Sequence, residues 1–266
     1  MARPSVPAAA ARTGPSFARG LWRIAAANVS AGNKVQLLHN GPEAFDEMEV
    51  LIHGAKESIA MECYIFRSDD VGQRFGDALI SAARRGVRTR LLIDWVGGRG
   101  TTSSFIETLK ANGVDVRIFS PLGWRAWFGL VPRDHRKLLV VDGNIGVTGG
   151  VGIGMEWMQG TTQSHRSQWR DTAVRIQGQA GKDMLGAFEK MWRRAANKHS
   201  KRARLIRKRP VGAHIDPATH ERSLVGIVEG EPLRLRIARA LQMQAIAAER
   251  SIWIASAYFM PSWAEY

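Results

Sequence analysis

Cysteine, long apolar runs and clusters of metal ligands are scarce in this sequence. The single cysteine, Cys63, excludes an intramolecular disulfide within these 266 residues and is typical of a reducing compartment. No run of about 18 apolar residues is present, so no transmembrane helix is predicted. The N-terminal region has no unbroken apolar stretch, and we expect no secretory signal peptide there. Any membrane contact is therefore expected to be peripheral.

Metal and cofactor sites are not predicted either. The histidines, the cysteine and the acidic residues do not form a dense set at zinc-ligand spacing. We therefore expect no metal ion and no cofactor, and any chemistry has to come from side chains.

Acidic residues are absent from two basic segments. Residues 1–33 carry four arginines, and residues 193–209 carry nine lysines and arginines. Together they hold thirteen of the fourteen excess charges in the formal net charge of +14, so the rest of the chain is nearly neutral. Such local runs favour an anionic partner, either phospholipid or nucleic acid, and a solvated linker is the alternative interpretation.

Apolar periodicity predicts an α/β fold. The predicted elements up to residue 119 are a strand at 35–38, a helix at 41–55, a strand at 58–66, a helix at 71–85, a strand at 87–94, a helix at 103–112 and a strand at 114–119. This alternation predicts a mixed, largely parallel sheet flanked by helices, with ligands at the C-terminal ends of the strands. Asp94 lies at such an end, where it could line a site or cap a turn.

His135 and Lys137 are the first candidate site residues. In an extended strand successive side chains alternate between faces, so these two are predicted to project from the same side and to hold a phosphate there. The apolar run 138–141 ends at a turn signal that begins with Asp142, and 145–148 is predicted to complete a hairpin. A buried hairpin with a stray histidine is the alternative.

Glycines follow this hairpin. Gly149, Gly150 and Gly152 offer backbone N–H groups without side-chain obstruction, which suits close approach by an anion. We therefore expect them to bind substrate together with Lys137.

The order His-x-Lys-x4-Asp at 135–142, within HRKLLVVDGNIGVTGG, resembles the signature of the phospholipase D superfamily, and in particular that of bacterial cardiolipin synthases. The resemblance implies a phospholipase D-like fold, with His135 as phosphohistidine nucleophile or general acid and Lys137 as phosphate ligand. It also implies that Asp142 supports the loop and that Asp171, in the similar segment WRDTAVRIQG, orients His135. Taken alone, Asp171 would be a salt-bridge partner at a strand end. One departure is Gly152, which stands where the family pattern has asparagine, so a side-chain donor is missing.

An aromatic cluster precedes the histidine segment. Trp124, Trp127 and Phe128 alternate with arginines and glycines, a composition that suits the membrane interface. Core packing of the same rings is the alternative.

The C-terminal third repeats the start of the chain. After a strand at 169–176 and a helix at 179–194, a strand, a helix and a strand are predicted at 225–228, 233–248 and 251–258. The letters AKESI at 55–59 match AERSI at 248–252 with a spacing of 193, and Tyr64 matches Tyr258 after a slip of one residue. We predict a flexible basic segment at 1–32, a first repeat at 33–195, a basic connector at 196–222 and the start of an incomplete second repeat at 223–266.

The resemblance implies a phosphatidyltransferase that uses a phosphatidyl-histidine intermediate, acts on phosphatidylglycerol and releases glycerol. Because one motif supplies one histidine, a missing second repeat or a second subunit is expected to complete the site. The alternatives are hydrolysis, as a phospholipase D or nuclease, and a catalytically silent basic module that binds membrane or nucleic acid. The expected location is the inner membrane of the cell, as a peripheral protein on the cytoplasmic side, with nucleic acid the less favoured partner.

Overall fold

The computed structural model of the chain describes residues 15–27, 29–120, 133–158, 169–196, 223–230 and 235–254. The helices are α1 (Pro15–Ala25), α2 (Asn40–Gly54), α3 (Asp70–Arg84), α4 (Ser103–Ala111), α5 (Gln179–Ala196) and α6 (Arg236–Ile246). The strands are β1 (Val29–His39), β2 (Ser58–Cys63), β3 (Arg88–Asp94), β4 (Asp115–Phe119), β5 (Leu138–Val141), β6 (Ile145–Gly149), β7 (Thr172–Gln177) and β8 (Ser223–Gly226). Short 3-10 turns lie at Gly97–Gly100 and Met155–Trp157.

The described strands form an eight-stranded sheet in the order β4-β3-β2-β5-β6-β7-β1-β8. The predicted mixed α/β sheet with flanking helices is confirmed, but the expectation that it is largely parallel is wrong. The pairs β2–β3 and β3–β4 are parallel, and the other five described pairs are antiparallel. Parallel pairing needs a crossover helix, which α3 and α4 supply, whereas the tight turn at residues 142–144 makes β5 and β6 antiparallel.

Alternating side chains give the sheet two apolar faces. Leu139 and Val141 of β5 belong to the core shared with α2, α3 and α4. Leu138 and Val140 belong to the core on the other face, where Phe188 of α5 packs. Because both faces are covered, β5 is apolar at every position, as expected for a strand inside a sandwich of helices.

Two crossover helices begin at capping side chains. Asp69 Oδ1 accepts the N–H of Gly72 at 3.0 Å, and Thr102 Oγ1 accepts the N–H of Phe105 at 3.3 Å. Helix α4 is closed by Gly113, whose φ of +90° is a conformation that glycine adopts without strain. These crossovers bring the C-terminal ends of β2, β3 and β4 to one edge of the sheet.

The first and last described elements pack on each other. Helix α1 contacts α6, with Leu21, Ala25 and Ala240 in a small apolar cluster. Strand β8 pairs with the N-terminal part of β1. The segment 1–32, expected to be flexible, therefore contains α1 and the start of β1, while residues 1–14 lie outside the described part.

Membrane-spanning and metal-binding features are absent within these ranges. No described helix is long and apolar enough to cross a bilayer. No group of three or more His, Cys, Asp or Glu among the described residues could hold a metal ion. The predicted membrane-contact residues Trp124, Trp127 and Phe128, and residues 197–222 of the basic connector, lie outside the described residues.

Candidate active site

The 134–137 segment leads into β5 along the edge at which β2 and β3 end. The N–H of Asp134 donates to Asp94 Oδ2 at 2.9 Å. Asp94 Oδ1 accepts the N–H groups of Val96 at 2.8 Å and Gly97 at 3.3 Å. A single buried carboxylate at the end of β3 therefore fixes both the loop that follows it and the segment that carries the histidine. Of the two roles considered for Asp94, it has the turn-forming one, and it also anchors the site.

His135 and Lys137 lie side by side just before β5. Lys137 Nζ is 3.5 Å from His135 Nδ1 and 3.2 Å from the His135 backbone oxygen. The contact shows that the two side chains project from the same side. They were expected within the strand, but β5 begins one residue later, at Leu138.

The surroundings favour a neutral imidazole. Partial burial lowers the pKa of His135, and the positive charge of Lys137 lowers that pKa further, against the carboxylates of Asp134 and Asp94. Burial also lowers the pKa of Lys137, against several negative groups that include Asp171. At neutral pH the His135 ring is therefore uncharged and has a lone pair available for phosphorus.

The even-numbered residues of the segment form a buried charge cluster on the α5 face of the sheet. Arg136 Nε is 2.6 Å from Glu62 Oε1 and 3.4 Å from Asp134 Oδ1. Arg136 Nη2 also donates to the backbone oxygen of Ala187 in α5 at 3.2 Å. Sequence reasoning missed this cluster, although strand alternation does place Arg136 opposite its two neighbours.

Glu62 holds its proton more tightly than an exposed glutamate does. Burial raises the pKa of Glu62 well above its usual value, and the hydrogen bond and charge of Asp134 raise it further, against the opposing effect of Arg136. Glu62 Oε2 has no hydrogen-bond partner among the described residues. A buried carboxyl group in such surroundings favours its neutral, protonated form.

Tyr64, directly after β2, lies against the side chains of both His135 and Lys137. Its ring centroid is 4.4 Å from that of His135, with 51° between the ring planes. Lys137 Nζ is 5.5 Å from the centroid of the same ring. The sequence had indicated Tyr64 as a marker of the internal repeat but not as a residue of the site.

Asp142 lies at the other end of β5 from His135. Its carboxylate accepts the N–H groups of Lys56 at 3.0 Å, Glu57 at 2.8 Å and Ser58 at 2.9 Å. Partial burial acts to raise the pKa of Asp142, but these three donors outweigh it and hold that pKa below its usual value. The contacts fit the supporting role that the resemblance implies.

Asp171 lies just before β7. Its Oδ1 accepts the N–H of Thr172 at 2.9 Å, and Trp157 Nε1 is 3.5 Å from its Oδ2. On His135 Nδ1 the structure places Lys137 rather than Asp171. The orienting role of Asp171 therefore stays a prediction.

The three candidate glycines differ in their surroundings. Gly149 is exposed beside β7. A Cβ at Gly150 would overlap the carboxylate of Asp171, and a Cβ at Gly152 would lie 2.6 Å from the indole of Trp157. The space next to Gly152 is thus filled by a buried tryptophan, and packing explains this glycine better than anion binding does. Substrate contacts at Gly149 and Gly150 stay predictions.

The chain matches a known protein family. A family model described as cardiolipin synthase, PLD-like domain, matches residues 48–192, more than half of the chain. The chain belongs to this family. The match confirms the resemblance to cardiolipin synthases, and it includes every residue of the site described above.

Individual relatives agree with the family. The cardiolipin synthase of Geobacillus kaustophilus is 31% identical over 242 residues, which cover 90% of this chain and 47% of the relative. Cardiolipin synthase 1 of Bacillus cereus is 34% identical over 233 residues, which cover 85% of this chain and 45% of the relative. The chain therefore spans about half the length of these curated relatives.

A solved structure supports the fold. The phosphatidylserine synthase of Haemophilus influenzae is 15% identical with a TM-score of 0.50, and the match covers 64% of this chain and 40% of that chain. At this identity the likeness concerns the arrangement of strands and helices.

Proposed function

We propose that the chain is one half of a phosphatidyltransferase that makes cardiolipin from two molecules of phosphatidylglycerol. His135 accepts the phosphatidyl group, Lys137 binds the phosphoryl oxygens, and glycerol is released. The observation that carries this proposal is the pair His135–Lys137, 3.5 Å apart within the region that matches the cardiolipin synthase family. An imidazole and an ammonium group at this separation can act on one phosphoryl group.

The exchange takes two steps. A ring nitrogen of His135 first bonds to phosphorus, the bond from phosphorus to the glycerol oxygen breaks, and glycerol leaves with one added proton. The hydroxyl oxygen of a second phosphatidylglycerol then bonds to phosphorus, the bond to His135 breaks, and the hydroxyl proton passes to a base. A separate group must donate and then accept this proton, because His135 cannot do so while it is phosphatidylated.

A second histidine is the natural proton carrier. The reverse assignment uses the same geometry, with His135 as the acid and the other histidine as the nucleophile. The lowered pKa of His135, which follows from its partial burial and from Lys137, supports the nucleophilic assignment at neutral pH.

A second half of the same kind supplies this histidine. Strand β8 and helix α6 follow each other as β1 and α2 do, 193 residues further along the chain. At this spacing Ile237 and Leu241 of α6 correspond to Ala44 and Met48 of α2. Ile237 and Leu241 are 49% and 58% exposed, whereas Ala44 and Met48 are 0% and 8% exposed. An apolar helix face that is buried in one copy and exposed in the other needs a covering element, which is either a further repeat or a second subunit.

The proposed location is the cytoplasmic side of the inner membrane, as a peripheral protein. Trp124, Trp127 and Phe128 would enter the interface, and each lysine or arginine near an anionic surface adds about 1 kcal/mol of attraction. The basic segments at 1–33 and 193–209 would provide these charges. Support for this location comes from the sequence.

Vesicles of phosphatidylglycerol, mixed with this chain and the further repeat or second subunit that completes its site, test the proposal. The expected products are cardiolipin and free glycerol in equal amounts, and His135→Asn should form neither. His53→Asn is the matched control, because His53 is exposed at the end of α2 and outside the site. A rate per chain that rises with protein concentration would indicate a second subunit. Cleavage of DNA with phosphatidylglycerol left untouched would contradict the proposal.

Hydrolysis is the second candidate function, because the His135 side chain is exposed to solvent. Water would then replace the second phosphatidylglycerol, and phosphatidic acid would be released. The ratio of phosphatidic acid to cardiolipin separates the two reactions. For a silent binding module, His135→Asn would leave every measurable activity unchanged.

A further inference from the structure

Tyr64 forms a triangle with the two reactive residues. Its ring lies 4.4 Å from the His135 ring, centroid to centroid, and 5.5 Å from Lys137 Nζ. The third side is the 3.5 Å contact between Lys137 Nζ and His135 Nδ1. Each member of the triangle therefore touches or faces the other two.

The loop after β3 also packs against Tyr64. A Cβ at Gly97 would overlap the Tyr64 backbone oxygen and lie 2.9 Å from its ring atom Cδ2. This loop leaves no room for a side chain between Gly97 and Tyr64. Tyr64 is thus in contact with the Gly97 loop as well as with His135.

A common anchor fixes both segments that contact Tyr64. Asp94 accepts the N–H of Gly97 with one carboxylate oxygen and the N–H of Asp134 with the other. Asp94 itself is 1% exposed at the end of β3, which has a neighbouring strand on each side. The Gly97 loop and the segment that carries His135 are therefore tied to the same strand end, and the surroundings of the Tyr64 ring are fixed with them.

We propose that Tyr64 is a positioning residue of the transfer reaction, which sets the plane of the His135 imidazole and holds the Lys137 ammonium beside it. The part of this inference that concerns the transfer reaction rests on the proposed function. The contacts of Tyr64 with His135 and Lys137 do not depend on that function. A tilted arrangement of two rings is a favourable contact, and the face of a tyrosine attracts an ammonium group. Lysine has a long flexible side chain, so a fixed neighbour is needed to keep its charge at one place.

This role predicts a change in the titration of His135. The charged groups around the imidazole are Lys137, Asp134 and Asp94. Tyr64 shields the ring from water and keeps Lys137 close, and both effects lower the pKa of His135. Removal of the aromatic ring should therefore raise that pKa, whereas removal of the hydroxyl alone should not.

Proton NMR of the histidine C2–H signals in the 266-residue chain measures the pKa of His135 without any need for turnover. The His135 signal is identified by its loss in His135→Asn. We expect Tyr64→Leu to raise the pKa of His135 and Tyr64→Phe to leave it as in the unchanged chain. Phe105→Leu removes a buried ring that packs on Gly76, away from His135, and controls for general loosening.

Several outcomes would overturn the inference. One is a His135 pKa that is unchanged in Tyr64→Leu. The others are a rise of the His135 pKa in Tyr64→Phe, or in Phe105→Leu, as large as the rise in Tyr64→Leu. If Tyr64→Leu does not fold, nuclear Overhauser contacts between the Tyr64 and His135 rings in the unchanged chain decide the matter, and their absence counts against it. Because none of these readouts needs phosphatidylglycerol, a failure here is separate from a failure of the proposed function.

Discussion

The four residues 134–137 divide into two pairs with opposite surroundings. The odd-numbered pair, His135 and Lys137, lies at the edge of the sheet, and its polar atoms contact each other. The even-numbered pair, Asp134 and Arg136, is turned to the α5 face, where Arg136 contacts both Asp134 and the fully buried Glu62. One set of side chains anchors the segment, so the other set is free to meet a substrate.

The anchor secures position more than stability. A buried ion pair gains little over apolar residues of the same volume, because taking the charges out of water opposes their attraction. Removal of one partner is different, since it leaves a buried charge without compensation. The comparison between the two pairs can therefore be tested by changing one member of each.

The largest effect is expected on activity, at the odd pair. In a preparation that makes cardiolipin, His135→Asn should lower the turnover rate by about 10³-fold or more, because the proposed acceptor of the phosphatidyl group is lost. Its free energy of unfolding should change by less than about 0.5 kcal/mol, because the residue is exposed. The turnover rate and the free energy of unfolding from urea are measured on the same sample. A large loss of stability in His135→Asn would show that the odd-numbered pair also anchors the segment.

The next effect is on stability, at the even pair. Arg136→Met should lower the free energy of unfolding by about 3–5 kcal/mol, because two buried acidic groups lose their cation. Arg74→Met is the matched control: its partner Glu49 lies 2.8 Å away, but Arg74 is 44% exposed, so a change of about 1 kcal/mol or less is expected. Equal losses of unfolding free energy in Arg136→Met and Arg74→Met would show that Arg136 stabilises the fold no more than an exposed arginine does.

A smaller loss of stability is expected at Gly152. Gly152→Asn restores the residue of the family pattern, but its side chain must displace the indole of Trp157, at a cost of about 1–3 kcal/mol. Gly54→Asn is the control, because a Cβ there meets nothing within 4 Å. A stable Gly152→Asn variant with raised activity would favour a missing phosphate donor over packing.

The smallest effect is a pH dependence that comes from Asp142. Because the folded-state pKa of Asp142 is lowered, its hydrogen bonds stabilise the fold above the unfolded value of about 3.9, and this stability is lost as the pH falls through the folded value. The difference in unfolding free energy between the unchanged chain and Asp142→Asn should therefore shrink as the pH falls through that window. A difference that stays constant from neutral pH to acid would contradict this sign.

Local patterns in the sequence predicted the residues that are close together along the chain. The spacing of His135 and Lys137 indicated a common side, and the turn signal at Asp142 indicated the hairpin that follows. The contacts of Glu62 and Tyr64 were missed, because they depend on how β2 pairs with β5. Glu62 and Arg136 are 74 positions apart, and no local pattern states which strands become neighbours.

The same limit explains the error in sheet direction. The helix crossovers between β2, β3 and β4 could be recognised from periodicity, and these strands are parallel as expected. The placement of β1 beside β7, with Leu38 opposite Ala173, is a long-range pairing that no local signal indicated. Trp157 was likewise not foreseen as the occupant of the space at Gly152, because a 3-10 turn brings it there.

Trapping of a covalent intermediate tests most directly whether His135 accepts the phosphatidyl group. The protein, in an assembly that shows turnover, is mixed with phosphatidylglycerol labelled at phosphorus, quenched in alkali and digested, and the labelled peptide is located by mass spectrometry. We expect an acid-labile label on His135 that is lost in His135→Asn and kept in His53→Asn. A label of the same yield in His135→Asn, or cardiolipin formed at the full rate by that variant, would contradict it.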